Sequence, residues 1–221
     1  MYKAILFDLD GTILHSISDI TTALNISLKT CGYDFCYDDE GTKKLIGMGA
    51  YNIVARVFAN RQHTSHEFER LLEVFSINYK IHQGEKATPY QGVITLLNDL
   101  KTRGIRLFVA SNKPDHLAKI IVSKFFGNDI FEAVYGHEAG KPEKPHPYLV
   151  SHLLATFHLE ASETLFVGDS DVDVMTANNS NLDVALVTWG YGNYIKSLKK
   201  QATYVVDTIS ELESIVMSKS N

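Results

Sequence analysis

The chain has 221 residues, 45% of them hydrophobic and 21% charged, with a formal net charge of −5. These values suit a globular protein and exclude a disordered or fibrous chain. The negative balance offers nothing to nucleic acid or to a lipid headgroup surface. No apolar run reaches the ~18–20 residues of a membrane-spanning helix. The opening MYKAILFDLD places two aspartates where a signal peptide needs apolar residues. Two cysteines, Cys31 and Cys36, are too few for a disulfide framework. A cytoplasmic protein is expected.

The first predicted element is a strand over 2–9, where Ala4, Ile5, Leu6 and Phe7 form an unbroken apolar run. Such a run reads as a strand buried on both faces, and Asp10-Gly11-Thr12 turns the chain after it. Ile17, Ile20, Leu24, Leu28 and Cys31 then recur at helical spacing. So do Ile53, Val54, Val57 and Phe58, and again Phe68, Leu71, Leu72, Phe75 and Tyr79. No strand is predicted between about 15 and 85. Beyond Thr88-Pro89, a helix carrying Val93, Leu96, Leu97 and Leu100 stops at Arg103-Gly104. A strand over 105–110 follows, then a helix opened by Pro114 and a short strand over 133–135. A proline-rich loop, 141–147, leads to a helix at about 147–158, a strand at 164–167, a helix at about 171–179 and a strand at 184–187. A short strand near 204–206 and a helix at about 208–217 complete the pattern. Strands alternating with helices imply a parallel sheet covered on both faces. The expected fold is therefore α/β: a doubly wound parallel core, residues 1–14 and 86–221, with an all-helical insertion, residues 15–85.

Open parallel sheets bind ligands beyond the carboxyl ends of their strands. The first strand delivers Asp8 and Asp10 there, and the second delivers Ser111, Asn112 and Lys113. The loop after the third brings Lys141 and Lys144, and the fourth delivers Gly168, Asp169, Ser170, Asp171 and Asp173. Carboxylates gathered this closely repel one another unless a hard cation such as Mg²⁺ cancels the charge. A lysine and backbone N–H groups at a helix start suit a phosphate. The set fits metal-bridged phosphoryl transfer. Asp8 and Asp10, two apart in extended chain, point to one side, so one can act as nucleophile and the other as general acid/base.

Other residues carry two readings. Lys141 competes with Lys144 for the phosphate. Asp171 either ligates a metal or caps the helix after it, with capping favoured. His63 and His66, three apart on a helix, read as a metal pair or a solvated face, with the solvated face favoured, and Cys31 and Cys36 read as buried in the insertion. Lys43, Lys44 and Arg56 read as solvent-facing, with contact of one of them to a substrate carboxylate as the second reading. Trp189 and Tyr191 belong either to the core or to the rim of the site.

These residues resemble a known family. Asp8-Leu9-Asp10-Gly11-Thr12 looks like motif I of the haloacid dehalogenase (HAD) superfamily of phosphohydrolases, Ser111-Asn112-Lys113 like motif II, and Lys144 in KPEKPHP like the motif III lysine. Gly168-Asp169-Ser170-Asp171-Val172-Asp173 looks like motif IV. The helical insertion resembles the C1 cap of that superfamily. Ile46-Gly47-Met48-Gly49-Ala50 and Val187-Thr188-Trp189-Gly190-Tyr191-Gly192 are similar to segments of phosphoglycolate phosphatases.

The resemblance implies a Rossmann-like HAD core and residue roles. Asp8 attacks phosphorus and becomes an aspartyl phosphate. Asp10 protonates the leaving oxygen and then deprotonates the hydrolytic water. Ser111, Asn112 and Lys144 hold the phosphoryl group, with the K-P-x-P match favouring Lys144 over Lys141. Asp8, the carbonyl of Asp10, and Asp169 ligate Mg²⁺, while Asp173 orients Lys144 or a metal-bound water. Thr12, His15 and Met48 are candidate substrate contacts. His15 stands where relatives often carry an acid, and it either touches substrate or faces water. Met48 replaces a common Asn in the cap loop.

The expected function is Mg²⁺-dependent hydrolysis of a small phosphomonoester, with 2-phosphoglycolate the first candidate. The expected partner is a small phosphorylated metabolite, with no nucleic acid and no membrane, and the chain is a monomer or homodimer. An alternative is a phosphosugar mutase like β-phosphoglucomutase, although the Gly47-Met48-Gly49 segment is poor in groups to grip a sugar. A non-catalytic binding module is the third reading, opposed by the presence of every reactive residue.

Overall fold

The computed structural model describes residues 2–192 and 196–218. It divides into two compact units, one formed by residues up to His15 with those from Pro89 onward, the other by Ser16–Thr88. The dividing points lie one and three residues beyond those expected from sequence. The crossings coincide with two short strands, β2 (Leu14–His15) and β3 (Thr88–Pro89), which the sequence pattern did not reveal.

The larger unit starts with β1 (Ala4–Phe7), buried along its whole length. The smaller unit holds α1 (Ile17–Thr30), α2 (Asp39–Lys43), α3 (Gly49–Phe58) and α4 (Ser65–His82). Past β3 the larger unit continues with α5 (Val93–Thr102), β4 (Arg106–Pro114), α6 (Asp115–Phe126) and β5 (Ala133–His137). Then come α7 (Tyr148–Phe157), β6 (Thr164–Gly168), α8 (Asp171–Asn179) and β7 (Asp183–Val187). The last elements are α9 (Lys196–Lys199), β8 (Tyr204–Val206) and α10 (Ile209–Ser218). Among the described residues, no helix is long and apolar enough to cross a membrane.

Six strands form one parallel sheet in the order β5-β4-β1-β6-β7-β8. Leu6 pairs with Phe108 on one side and Phe166 on the other, and Phe166 pairs with Val184. This row is packed with Val150 and Leu153 of α7 and Val174 and Ala177 of α8 in one buried cluster. Burying a side chain such as Phe166 contributes about 2–3 kcal/mol, so the row sets the register firmly. The chain order turns outward in both directions from β1, which makes the end of β1 the crevice of the sheet.

Two strands run further than the sequence pattern predicts. β4 continues through Ser111, Asn112 and Lys113 to Pro114, and β5 continues to His137. Their pairing shifts register between Ala110 and Pro114. Gly136 makes the extension fit, because a Cβ there would overlap the carbonyl of Lys113 and the backbone of Asp115. The Ser-Asn-Lys segment is thus strand rather than loop.

The helical unit has its own core, formed by Leu24, Leu28, Val54, Val57, Phe58, Leu71 and Phe75. Asp19, buried, accepts hydrogen bonds from the N–H groups of Gly84 (2.6 Å) and Lys86 (2.7 Å), which fixes where the chain leaves the unit. Several side chains differ from expectation. Cys36 is exposed rather than buried. His63 precedes α4 instead of lying on it, and stacks on Phe58. The guanidinium of Arg56 donates to the carbonyls of Leu45 and Ile46, so it is tied to the loop before α3 rather than only solvated.

Candidate active site

The sheet register decides which residues meet. Phe7 pairs with Val109 and Val167, so the next residues, Asp8, Ala110 and Gly168, arrive at one level. The N–H of Asp8 donates to the carbonyl of Val167 (2.9 Å), which carries the pairing one residue past β1.

Lys144 reaches this level from the loop before α7. Its ammonium donates to Asp8 Oδ1 (2.7 Å), Asp173 Oδ1 (2.8 Å) and the carbonyl of Ala110 (3.0 Å). Three N–H groups thus meet three acceptors. Its backbone is held as well: the Lys144 N–H donates to Asn112 Oδ1 (2.8 Å), and Asn112 Nδ2 donates to the Lys144 carbonyl (3.0 Å). An amide side chain supplies one donor and one acceptor, which accounts for asparagine at 112. Lys141 is exposed, with its ammonium over the Tyr148 ring. Lys144, not Lys141, is the lysine at Asp8.

Asp173 is fixed twice. Its Oδ1 takes Lys144, and its Oδ2 accepts from the hydroxyl (2.6 Å) and N–H (3.1 Å) of Ser170. Ser170 and Asp173 form the capping box of α8. The cap is therefore Ser170, and Asp171, expected to cap, is an exposed first-turn residue outside the carboxylate cluster. Gly168 permits the arrangement, since a Cβ there would overlap the Asp173 side chain.

Asp169 accepts from Thr12 Oγ1 (3.1 Å) and from the Tyr191 N–H (2.7 Å). Gly11, at φ +94°, and Gly190 both back onto its side chain, and a Cβ on either would overlap the carboxylate. Thr12, expected to touch substrate, is fully buried, and its hydroxyl serves Asp169. Its carbonyl accepts from the Trp189 indole N–H (2.9 Å). Trp189 and Tyr191 are half-buried and frame the rim beside Asp169. Gly190 and Tyr191 follow β7; the sequence reading leaves Tyr191 open between core and rim, and its hydrogen bond to Asp169 runs through the backbone N–H, which no side-chain pattern signals. His15 lies between two tyrosines, its Nδ1 3.3 Å from the hydroxyls of both Tyr90 and Tyr191. Met48 precedes α3 in the helical unit, where its carbonyl accepts from Asn52.

Asp10 stands apart from the carboxylate cluster. Its two oxygens lie 3.2 and 3.4 Å from the ammonium of Lys113. Ser111 is buried, and its oxygen accepts from the Lys113 N–H (3.3 Å).

Ligand atoms of Asp8, Asp169 and Asp173 all lie within 4.8 Å of one another. Sequence reasoning put the Asp10 carbonyl, not Asp173, in the metal set; the carboxylates that cluster are these three. Burial is the main force on Asp8, and its carboxyl is pushed up to about 6 although Lys144 opposes the shift. Burial, followed by Asp173 and Asp8, holds Asp169 well above the usual carboxylate range. For Lys144 burial works against the charge, but Asp173 and Asp8 outweigh it and raise the ammonium. Three buried carboxylates thus face one ammonium. The excess negative charge and the all-oxygen donor set fit a hard divalent cation.

A pH dependence follows. A carboxyl whose folded value lies above its unfolded one stabilises the fold when protonated, and that stability is lost as pH rises through the folded value. For Asp8, with 3.8 as the ordinary value and about 6 in the fold, the loss is roughly 3 kcal/mol. Asp169 shifts in the same direction. Protein treated with EDTA is expected to melt at a higher temperature at pH 5 than at pH 8. A divalent cation is expected to raise the melting point more at pH 8. Calorimetry at both values checks this, and a metal-free protein more stable at pH 8 would contradict it.

Comparison with known proteins agrees with this geometry. A family model described as haloacid dehalogenase-like hydrolase matches residues 5–187. The phosphoglycolate phosphatase of Rhodospirillum rubrum is 35% identical over 199 residues, covering 86% of this chain and 81% of the relative. That of Aquifex aeolicus is 33% identical, covering 86% of each. A crystal structure from Lactobacillus delbrueckii subsp. bulgaricus superposes with a TM-score of 0.91 at 31% identity, covering 99% of both chains. The chain belongs to the haloacid dehalogenase-like hydrolase family. Within that family it is a phosphoric monoester hydrolase acting on small phosphomonoesters.

Proposed function

We propose that the substrate is 2-phosphoglycolate, that Mg²⁺ is the cation, and that Asp8 is the nucleophile. The substrate reading draws on relatives that carry the name phosphoglycolate phosphatase at 35% and 33% identity. The observation that carries the nucleophile is the asymmetry of Asp8. Lys144 holds Oδ1, while Oδ2 accepts no hydrogen bond among the described residues. One oxygen is aimed and the other is left to react.

Asp8, the carbonyl of Asp10, and Asp169 would hold Mg²⁺, with Asp173 close by. When bound, the ion supplies positive charge that lets an anionic nucleophile approach an anionic phosphoryl group. Asp8 Oδ2 forms a bond to phosphorus as the ester P–O bond breaks, and Asp10 gives a proton to the departing oxygen. Asp10 then takes a proton from a water that attacks phosphorus. The Asp8–phosphorus bond breaks, inorganic phosphate leaves, and both aspartates return to their starting states. The ammonium of Lys144 already has three acceptors. It serves the phosphoryl group as a nearby positive charge and as the clamp on Asp8. Ser111 gives its hydroxyl proton to no acceptor among the described residues, and donates it to a phosphoryl oxygen. Asn112 acts by holding the Lys144 backbone. His15 and Met48 remain the proposed contacts for the rest of the substrate. The helical unit, 15–85 by the sequence reading, is proposed as the cap.

The test is a panel of phosphate esters assayed with Mg²⁺ and with EDTA. The expected result is a kcat/KM for 2-phosphoglycolate about 10-fold or more above the other esters, abolished by EDTA. Glucose 1-phosphate in the panel separates the alternatives: inorganic phosphate supports hydrolysis, glucose 6-phosphate a mutase. Equal turnover of all esters would remove the substrate assignment and leave the phosphatase.

A further inference from the structure

Lys113 is the last residue of the Ser111-Asn112-Lys113 segment, and it is the member of that segment to which the proposed chemistry gives no role. Its side chain is 2% exposed, which is unusual for a lysine. Holding a long side chain in one buried conformation costs rotamer entropy, and withdrawing an ammonium from water costs more. The ion pair with Asp10 offsets these costs, and its geometry is informative. The ammonium stands 3.2 and 3.4 Å from the two oxygens, nearly symmetric. Contact with both oxygens restrains rotation of the carboxylate as well as its position. Asp10 is 19% exposed, whereas the lysine that contacts both its oxygens is 2% exposed.

The backbone is built to deliver this lysine. The Lys113 N–H donates to Ser111 Oγ, and the register of β4 against β5 shifts here. Gly136 lets the chain at Lys113 and Asp115 approach closely where any side chain would collide. One segment thus places Ser111, Asn112 and Lys113, and each serves a different aspartate or lysine of the site.

We propose that Lys113 is a positioning residue that aims the Asp10 carboxylate at the leaving-group oxygen. The inference rests on the reading of Asp10 as the acid that protonates that oxygen. It goes beyond that reading in assigning the aim of the acid to a residue that the proposed chemistry leaves without a role. A misaimed acid matters only where a proton is needed. An alkyl phosphate releases an alkoxide that must be protonated, whereas p-nitrophenolate departs without a proton. kcat/KM ends at phosphoryl transfer to the enzyme, so it isolates this step from the later hydrolysis.

The experiment compares the native enzyme with Lys113→Met, Lys113→Gln and Asp10→Asn on an alkyl phosphate and on p-nitrophenyl phosphate. Lys113→Met keeps volume and removes charge, and Lys113→Gln keeps a donor should the first variant fold poorly. For Lys113→Met, kcat/KM on the alkyl ester is expected to fall about 30- to 100-fold, within the range assigned to general acids and to aim. On p-nitrophenyl phosphate it is expected to fall less than about 3-fold, since general acid catalysis is not required there. Lys113→Gln should lie between native and Lys113→Met. An equal fall on both esters, as a purely structural role would give, overturns the proposal, and so does no fall on either. If Asp10→Asn discriminates between the esters and neither lysine variant does, the proposal falls and the acid assignment stands. If none of the three discriminates, both fall.

Discussion

Asp8→Asn is expected to lower kcat by about 10⁴-fold or more, the scale seen when a nucleophile is removed, without lowering the melting temperature. The amide keeps the shape of the side chain but lacks the anionic oxygen that attacks phosphorus. The stability half of the expectation comes from burial. Asp8 is a buried carboxyl pushed up to about 6, so at pH 8 its charge works against the fold. A neutral amide removes that burden, and Lys144 keeps Asp173 and the Ala110 carbonyl as partners. Stopped activity with an intact or raised melting point would separate chemistry from folding. Beryllium fluoride is expected to form an adduct on the native enzyme and not on the variant. A kcat within about 10-fold of native would remove Asp8 as the nucleophile.

Lys144→Met is expected to damage both activity and fold. Methionine has a similar length but no charge and no donors. Asp8, Asp173 and the Ala110 carbonyl would each lose a hydrogen bond in a buried setting. Removing one partner of a buried ionic network costs about 3–5 kcal/mol. For a chain of this size that corresponds to roughly 10 °C in melting temperature. The sign of the pH effect follows from Asp8, whose raised value moves higher once the ammonium is gone. The deficit should shrink at pH 5, where the carboxyl is protonated, and be largest at pH 8. Activity should fall about 10³-fold, because the nucleophile loses its clamp and the phosphoryl group its nearby charge. Adding Asp173→Asn should restore part of the stability and none of the activity. A single variant as stable as native at pH 8 would show that the three contacts do not hold the site together.

Much of this arrangement was legible in the chain. The strand–helix alternation marks a parallel sheet because period-two and period-3.6 patterns are local, and each element carries its own signature. That Asp8, Asp10, Ser111 and Asp169 gather at one edge was legible because a parallel sheet sends every strand end the same way. What remained hidden depends on pairs far apart in sequence. Lys113 meets Asp10 across 103 positions, and Asn112 meets Lys144 across 32. Tyr191 reaches Asp169 because β7 lies beside β6, and no local pattern records that adjacency. The choice of Ser170 over Asp171 as the helix cap turned on one residue of backbone geometry. The exposure of Cys36 depended on packing rather than on residue type.

The order of residues along the chain determined the element types, the sheet direction and the gathering of carboxylates at one edge, since each follows from short-range periodicity and chain direction. The tertiary structure alone decided how those groups share charge: Lys144 bridges Asp8 and Asp173, Lys113 takes Asp10, and Thr12 with Tyr191 holds Asp169. Ion pairing depends on distances of a few ångströms and on the loss of water around each group. Only strand order, register and close backbone approach at glycines such as Gly11, Gly136 and Gly190 set those quantities.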